Sequence, residues 1–101
     1  MSTSRTELRE ATAQTVNVTD DELIMHLDDG RTITAPLAWF PRLVHGGAVE
    51  RAKWRLIAGG VGIHWPDLDE DVSVRSLLAG RRSAETAESL RRWLKSRQKL
   101  S

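Results

Sequence analysis

The 101-residue chain contains no cysteine. That excludes disulfides, thiolate nucleophiles and cysteine-ligated zinc, and it fits a reducing cytosol. No apolar run approaches the roughly 20 residues needed to span a bilayer. Residues 1–12 carry Arg5, Glu7, Arg9 and Glu10 where a secretory signal needs an uninterrupted apolar stretch. The expectation is a soluble, cytoplasmic protein with no membrane partner. Aromatic residues are few, four tryptophans and one phenylalanine. A chain this short builds one core and leaves little room for a second domain or a large enclosed substrate cavity.

What is present is an ordinary globular mixture, 40% hydrophobic and 29% charged. The net charge of +1 conceals an asymmetry. Residues 1–80 hold 8 Lys or Arg against 12 Asp or Glu, whereas residues 81–101 hold 7 against 2. An acidic body with a basic tail implies either a partner for the tail or docking of tail on body.

The pattern divides the chain into a flexible N-terminus (1–13), an α+β domain (14–80) and a basic, amphipathic helical tail (81–101). Thr15–Val18 is mostly β-branched. Glu22–Leu27 alternates, with Leu23, Met25 and Leu27 on one face, which predicts a strand. Asp28-Asp29-Gly30 is a tight-turn signal, and Arg31–Ala35 resumes the alternation. Together these predict a three-stranded antiparallel meander. Pro36 closes it, and short helices are expected from Leu37 or Pro41 to His45 and over Ala48–Lys53. Trp54–Ala58 and Val61–Trp65 around Gly59-Gly60 read as a second hairpin. Asp67–Asp71 reads as an acidic loop. Ser73 is placed to cap a helix over Val74–Ala79, with Gly80 as its stop. Ser83–Lys99 reads as a longer helix in which Ala87, Leu90, Trp93, Leu94 and Arg97 share a stripe. The fold class is α+β, a small antiparallel sheet (three-stranded meander plus a hairpin) packed with short helices and a C-terminal helix.

Five blocks occur in order. They are Asp28-Asp29-Gly30-Arg31, the run from Pro36 to Leu43, Gly62-Ile63-His64-Trp65-Pro66, Leu68-Asp69-Glu70-Asp71 and Leu77-Leu78-Ala79-Gly80. On these blocks the chain, from about Val16 to Gly80, resembles the bacterial domain of unknown function 2442 family. The resemblance implies a small α+β domain with an antiparallel sheet and carries over no catalytic residue. It also implies a short protein often encoded beside another small domain, an arrangement that has prompted toxin–antitoxin proposals. In some members a helix-turn-helix domain follows, but residues 81–101 are too few for one. Where relatives tend to place Thr or Ser before the second short helix, this chain has Gly46-Gly47. The basic tail lies outside the resemblance.

Several residues invite a functional reading. Asp67, Asp69, Glu70 and Asp71 follow His64, and hard cations take clustered oxygens. Their spacing matches no metal motif, and the plainer expectation is that Asp69, Glu70 and Asp71 cap the Val74 helix or meet a partner. His64 has no nucleophile pattern beside it. Gly59-Gly60-Val61-Gly62 lacks the Lys-Ser/Thr of a phosphate loop. Trp39, Phe40 and Arg42 are candidates for a partner anchor, since Trp and Arg concentrate at interface hot spots. Trp39 is expected to be exposed and Trp65 buried. In the tail, Arg91, Arg92, Lys95 and Lys99 are candidates for nucleic-acid or partner contacts. The expected function is a non-enzymatic protein-interaction module of a two-protein bacterial system, antitoxin-like, with no cofactor, metal or catalytic residue. Its partner is expected to be another small protein encoded nearby, or a second copy in a homo-oligomer. The alternatives are a nucleic-acid-binding accessory protein using the tail and a small metal-dependent enzyme using the acidic loop.

Overall fold

The computed structural model describes residues 10–100, with side chains to residue 98. Strands β1 (Ala13–Val18), β2 (Glu22–Leu27) and β3 (Thr32–Pro36) form an antiparallel meander in the order β1-β2-β3. Alternation sets its faces. Leu23, Met25 and Leu27 turn inward with Val16 and Ala35 opposite them, while Asn17, Ile24 and Thr34 form a row on the other side. Strand β1 begins two residues earlier than expected, with an irregularity between Ala13 and Thr15. Thr12 donates from its backbone and its hydroxyl to the Asp28 carboxylate at 3.1 and 3.0 Å. Residues 10–13 are therefore tied to the body rather than part of a loose arm. The rest of the expected flexible segment, residues 1–9, lies outside the described residues.

A single 3₁₀ turn, Leu37–Trp39, leads into helices α1 (Pro41–Val44) and α2 (Ala48–Ala52). Gly47 opens α2, and its N–H donates to Glu50 Oε1 at 2.9 Å, so the acid at the third helical position makes the reciprocal half of a capping box while the half that a Thr or Ser hydroxyl would make is missing. Gly46 is buried, and a Cβ there would sit 2.7 Å from Leu68 Cδ1, so a side chain at this position would force Leu68 to shift.

Strands β4 (Arg55–Ile57), β5 (Gly62–Trp65) and β6 (Glu70–Ser73) form a second antiparallel sheet, β4-β5-β6. The expected second hairpin is thus a three-stranded sheet, and the expected acidic loop supplies its third strand. The β4–β5 turn places Ala58, Gly59 and Gly60 in succession at positive φ. Gly60 also lies against the start of β1, where a Cβ would approach Ala13 O to 2.7 Å. Helix α3 (Val74–Leu78) follows β6 directly. Its cap is Ser73, whose hydroxyl accepts from Ser76 N at 3.0 Å, and its first turn holds no acid. Asp69, Glu70 and Asp71 therefore do not cap it, because the strand carries them away from the helix end.

Helix α4 runs over Ala87–Leu100, four residues later than the expected start at Ser83. The Ser83 hydroxyl accepts from Glu85 N in a local turn, and Thr86 begins the helix by accepting from Ser89 N on its hydroxyl and Leu90 N on its carbonyl. Fifteen apolar residues from both sheets, α1, α3 and the turns between them make one core, centred on Leu23, Met25, Leu43, Ile63, Trp65 and Leu68. No polar side chain of the described residues is fully buried within it.

Candidate functional site

The β5–β6 turn and strand β6 form one wall of a cleft of about 660 Å³, and the chain between α3 and α4 forms the other. Phe40, Arg42, Asp69, Glu70 and Asp71 all line it, so five of the six residues singled out as a partner surface converge there. Sheet alternation then separates their roles. Asp71 turns outward and accepts from His64 Nδ1 at 2.5 Å across the sheet. Asp69, held at positive φ in the turn, meets Arg42 Nη1 through its carbonyl at 3.0 Å and its carboxylate at 3.4 Å. Asp67 pairs with Lys53 Nζ at 3.5 Å. These three acids thus face separate partners. Among the described residues no group of three or more His, Asp or Glu side chains is placed to hold a metal ion.

Glu70 is the exception. It lies opposite Trp65 in the sheet, on the same inward face as Val72. Among the described residues its Oε1 accepts only from the adjacent Asp71 N at 3.3 Å, and its Oε2 is buried without a hydrogen-bond partner. Burial pushes its carboxyl up to about 7, partly offset by the Asp71 N–H and the nearby Arg42 charge. The consequence for stability follows from linkage. A folded-state value above the ordinary 4.5 means that the folded chain holds the proton more tightly. Stability therefore falls as pH rises from that ordinary value through about 7, then levels. Glu70→Gln should accordingly raise stability at pH 8 by about 1–2 kcal/mol, after allowance for solvent screening in an open cleft, and change it little at pH 4.5. Urea unfolding at the two pH values checks this.

Arg42 organises the cleft. Its Nε and Nη2 donate to the two oxygens of Glu85 at 2.5 and 3.1 Å, and the pair is largely shielded from water. The Arg42 guanidinium holds the Glu85 carboxyl below its usual range. The same guanidinium lies 5.2 Å from the centre of the Trp93 ring, with Arg97 at 4.7 Å from that ring. Arg97 completes a second forked pair with Glu50, at 2.9 and 3.0 Å, which lowers the Glu50 carboxyl. Helix α4 is therefore clasped to the body by Arg42–Glu85 at its approach, Trp93 in its middle and Arg97–Glu50 beyond. Arg91, Arg92 and Lys95 face solvent on its far side, with Arg92 paired to Glu88 one turn away. The side chain of Lys99 lies outside the described ones.

Trp39 is half-buried against the core, with Arg82 at 5.5 Å from its ring centre. It is thus partly covered by its own chain, whereas Trp65 is fully buried as expected. Phe40 is only 4% exposed and belongs to the core. The 3₁₀ turn sets Leu37 and Phe40 three residues apart on one side, so both rotate inward, and a partner cannot use Phe40 as an exposed anchor.

A second concavity, of about 470 Å³, was not anticipated. It lies on the other side of the β6–α3 junction and shares Ser73 with the first. Val61 and Leu78, 49% and 46% exposed, line it beside Ala11 and Val74, with Arg31, Arg75 and Glu10 around them. Val61 and Leu78 each sit in an apolar run that reads as core, and no local signal marks them as neighbours.

Two packed antiparallel meanders, capped by short helices and embraced by a basic helix, define the class as a small α+β domain. The chain belongs to the family described as protein of unknown function (DUF2442), which it matches over residues 13–83. Two solved structures share the fold. One is a crystal structure of a protein of unknown function from Rhodospirillum rubrum (24% identity, TM-score 0.65, 76% of this chain and 95% of that one). The other is a solution structure of an uncharacterised protein from Chromobacterium violaceum (20% identity, TM-score 0.63, 86% of this chain and 78% of that one). Comparison with curated proteins gives no match. No helix among the described residues is long and apolar enough to cross a membrane.

Proposed function

We propose that this protein is a non-catalytic protein-interaction module, one member of a two-protein bacterial system with an antitoxin-like role. The observation that supports this reading is the half-exposed pair Val61 and Leu78 inside one groove. Large apolar side chains that share an open concavity mark an interaction surface more often than scattered ones do. The charged cleft on the other side of Ser73 supplies the polar border that such surfaces carry. The partner is a small protein that inserts an apolar side chain between Val61 and Leu78.

Co-expression with the product of the neighbouring gene, followed by mass measurement of the purified complex, tests this. A stoichiometric complex is expected, and Val61→Asp with Leu78→Asp should weaken it at least tenfold with the free protein's melting temperature retained. Unchanged binding in that double variant overturns the reading. A second reading, nucleic-acid binding, has one observation in its favour. The clasped helix holds Arg91 and Lys95 one turn apart on its solvent side. Steeply salt-dependent RNA or DNA binding that is lost in Arg91→Glu with Lys95→Glu would promote it.

A further inference from the structure

We propose that Glu70 is a proton-operated latch on the C-terminal helix, its ionisation loosening the clasp that holds α4 to the body. One oxygen of Glu70 is closed off from solvent and has no hydrogen-bond partner among the described residues. On its own strand and turn it is accompanied by Asp71 and Asp69, from α1 by Arg42, and from the approach to α4 by Arg81, Arg82 and Glu85. Of these, Asp71 is taken by His64, while Asp69 and Glu85 are taken by Arg42. A neutral Glu70 makes no claim on any of them. An ionised Glu70 attracts Arg42 and repels Glu85, so it competes for the guanidinium that fastens the tail. It also requires water or a donor at the shut-off oxygen, and the segment carrying Arg81, Ser83 and Glu85 forms the opposite wall of its cleft. Moving that wall satisfies both demands.

Coupling of this kind is reciprocal. If tail docking helps hold Glu70 in its protonated form, then ionising Glu70 must weaken docking by the same factor. One pH unit of the elevation towards about 7, owed to the docked tail, corresponds to about tenfold in the docking equilibrium. The latch is closed below neutrality and loosens above it. Its pivot is Arg42, which touches Glu85, Asp69 and Trp93 together. This device is independent of the Val61–Leu78 groove and stands whether or not that groove binds a partner.

The test uses the full chain with its side-chain carboxyl carbons labelled for NMR. The midpoint of Glu70 is followed in the natural protein and in Trp93→Ala with Arg97→Ala. That double variant loosens α4 and leaves the Glu85 charge in place. The expected result is a midpoint near neutrality in the natural protein that falls by about one unit in the variant. An unchanged midpoint overturns the proposal, because the body alone would then be shutting in Glu70. Retained amide protection along α4 in the variant also overturns it, since the clasp would not be the one described. If the variant does not fold, α4 amide protection in the natural protein decides, corrected for intrinsic exchange. It should drop about tenfold between pH 6 and pH 8, and stay level in Glu70→Gln. A level profile in the natural protein, or an equal drop in Glu70→Gln, rejects the latch.

Discussion

Trp65→Ala should lower folding stability by about 3–5 kcal/mol, a large part of the roughly 5–15 kcal/mol that holds a domain of this size together. Trp65 is fully buried at the centre of the core, between strands β4 and β6 on β5. Its indole N–H donates to the Arg51 carbonyl at 3.0 Å, which ties the second sheet to helix α2. Truncation removes the ring's contacts, leaves a cavity that the surrounding strands can close only in part, and orphans that carbonyl. Trp65→Phe separates these contributions. It keeps most of the apolar volume and loses the hydrogen bond, so its cost should be about 1–3 kcal/mol. Chemical denaturation with matched m-values measures both. Trp65→Ala costing less than Trp65→Phe would mean that packing around β5 relaxes freely, against the close-packed core described above. A further consequence concerns Glu70, the cross-strand neighbour of Trp65. Opening space there admits water to its buried oxygen, so the Glu70 carboxyl should titrate closer to its ordinary range in Trp65→Ala.

Why Trp65 was legible in the sequence and Glu70 was not comes down to what alternation records. Ile63 and Trp65 alternate with glycine and histidine, so the inward face of β5 announces itself, as Leu23, Met25 and Leu27 do for β2; Val61 extends the same alternation but lies before the strand and stays half-exposed. Strand β6 reads Glu70-Asp71-Val72-Ser73, with one apolar residue in four. Its inward positions are Glu70 and Val72, and an acid on the inward face erases the pattern that would have marked a strand. Three acids in a row then pass for a loop. The cap of α3 was readable because Ser73 and Ser76 N are three residues apart, a local relation. The pairs that build the clasp are not local. Arg42 and Glu85 stand 43 residues apart and Glu50 and Arg97 stand 47 apart, and nothing near any of the four residues specifies its partner. The apolar stripe of the tail showed that α4 must dock somewhere; the body's own Arg42 and Glu50 decide where.

A chain ending at residue 82 should therefore be less stable than the full protein by about 2–4 kcal/mol. With the tail go the Trp93 ring, the Glu85 carboxylate that satisfies Arg42 and the Arg97 guanidinium that satisfies Glu50. The largest part of the cost arises at Arg42, whose side chain is only 16% exposed and would lose its forked partner. At the levels expected for a domain of about 80–100 residues, this amounts to a fall in melting temperature of roughly 10–25 °C. The pH profile should change as well. The Glu85 and Glu50 carboxyls are both held below their usual range, by Arg42 and Arg97 respectively. Their stabilisation is present above the ordinary carboxylate range and is lost as pH falls through their depressed values. The shortened chain should lack that acid-side loss. On the alkaline side the Glu70 latch acts in the opposite sense, so docking of α4 is strongest in a band between the acid titration of its two clasps and the neutral titration of Glu70. Thermal unfolding of both chains from pH 3 to pH 8.5 measures the band. Equal stability of the two chains across that range would mean that the forked pairs and the Trp93 contacts contribute nothing net, and that α4 lies on the body without being held there.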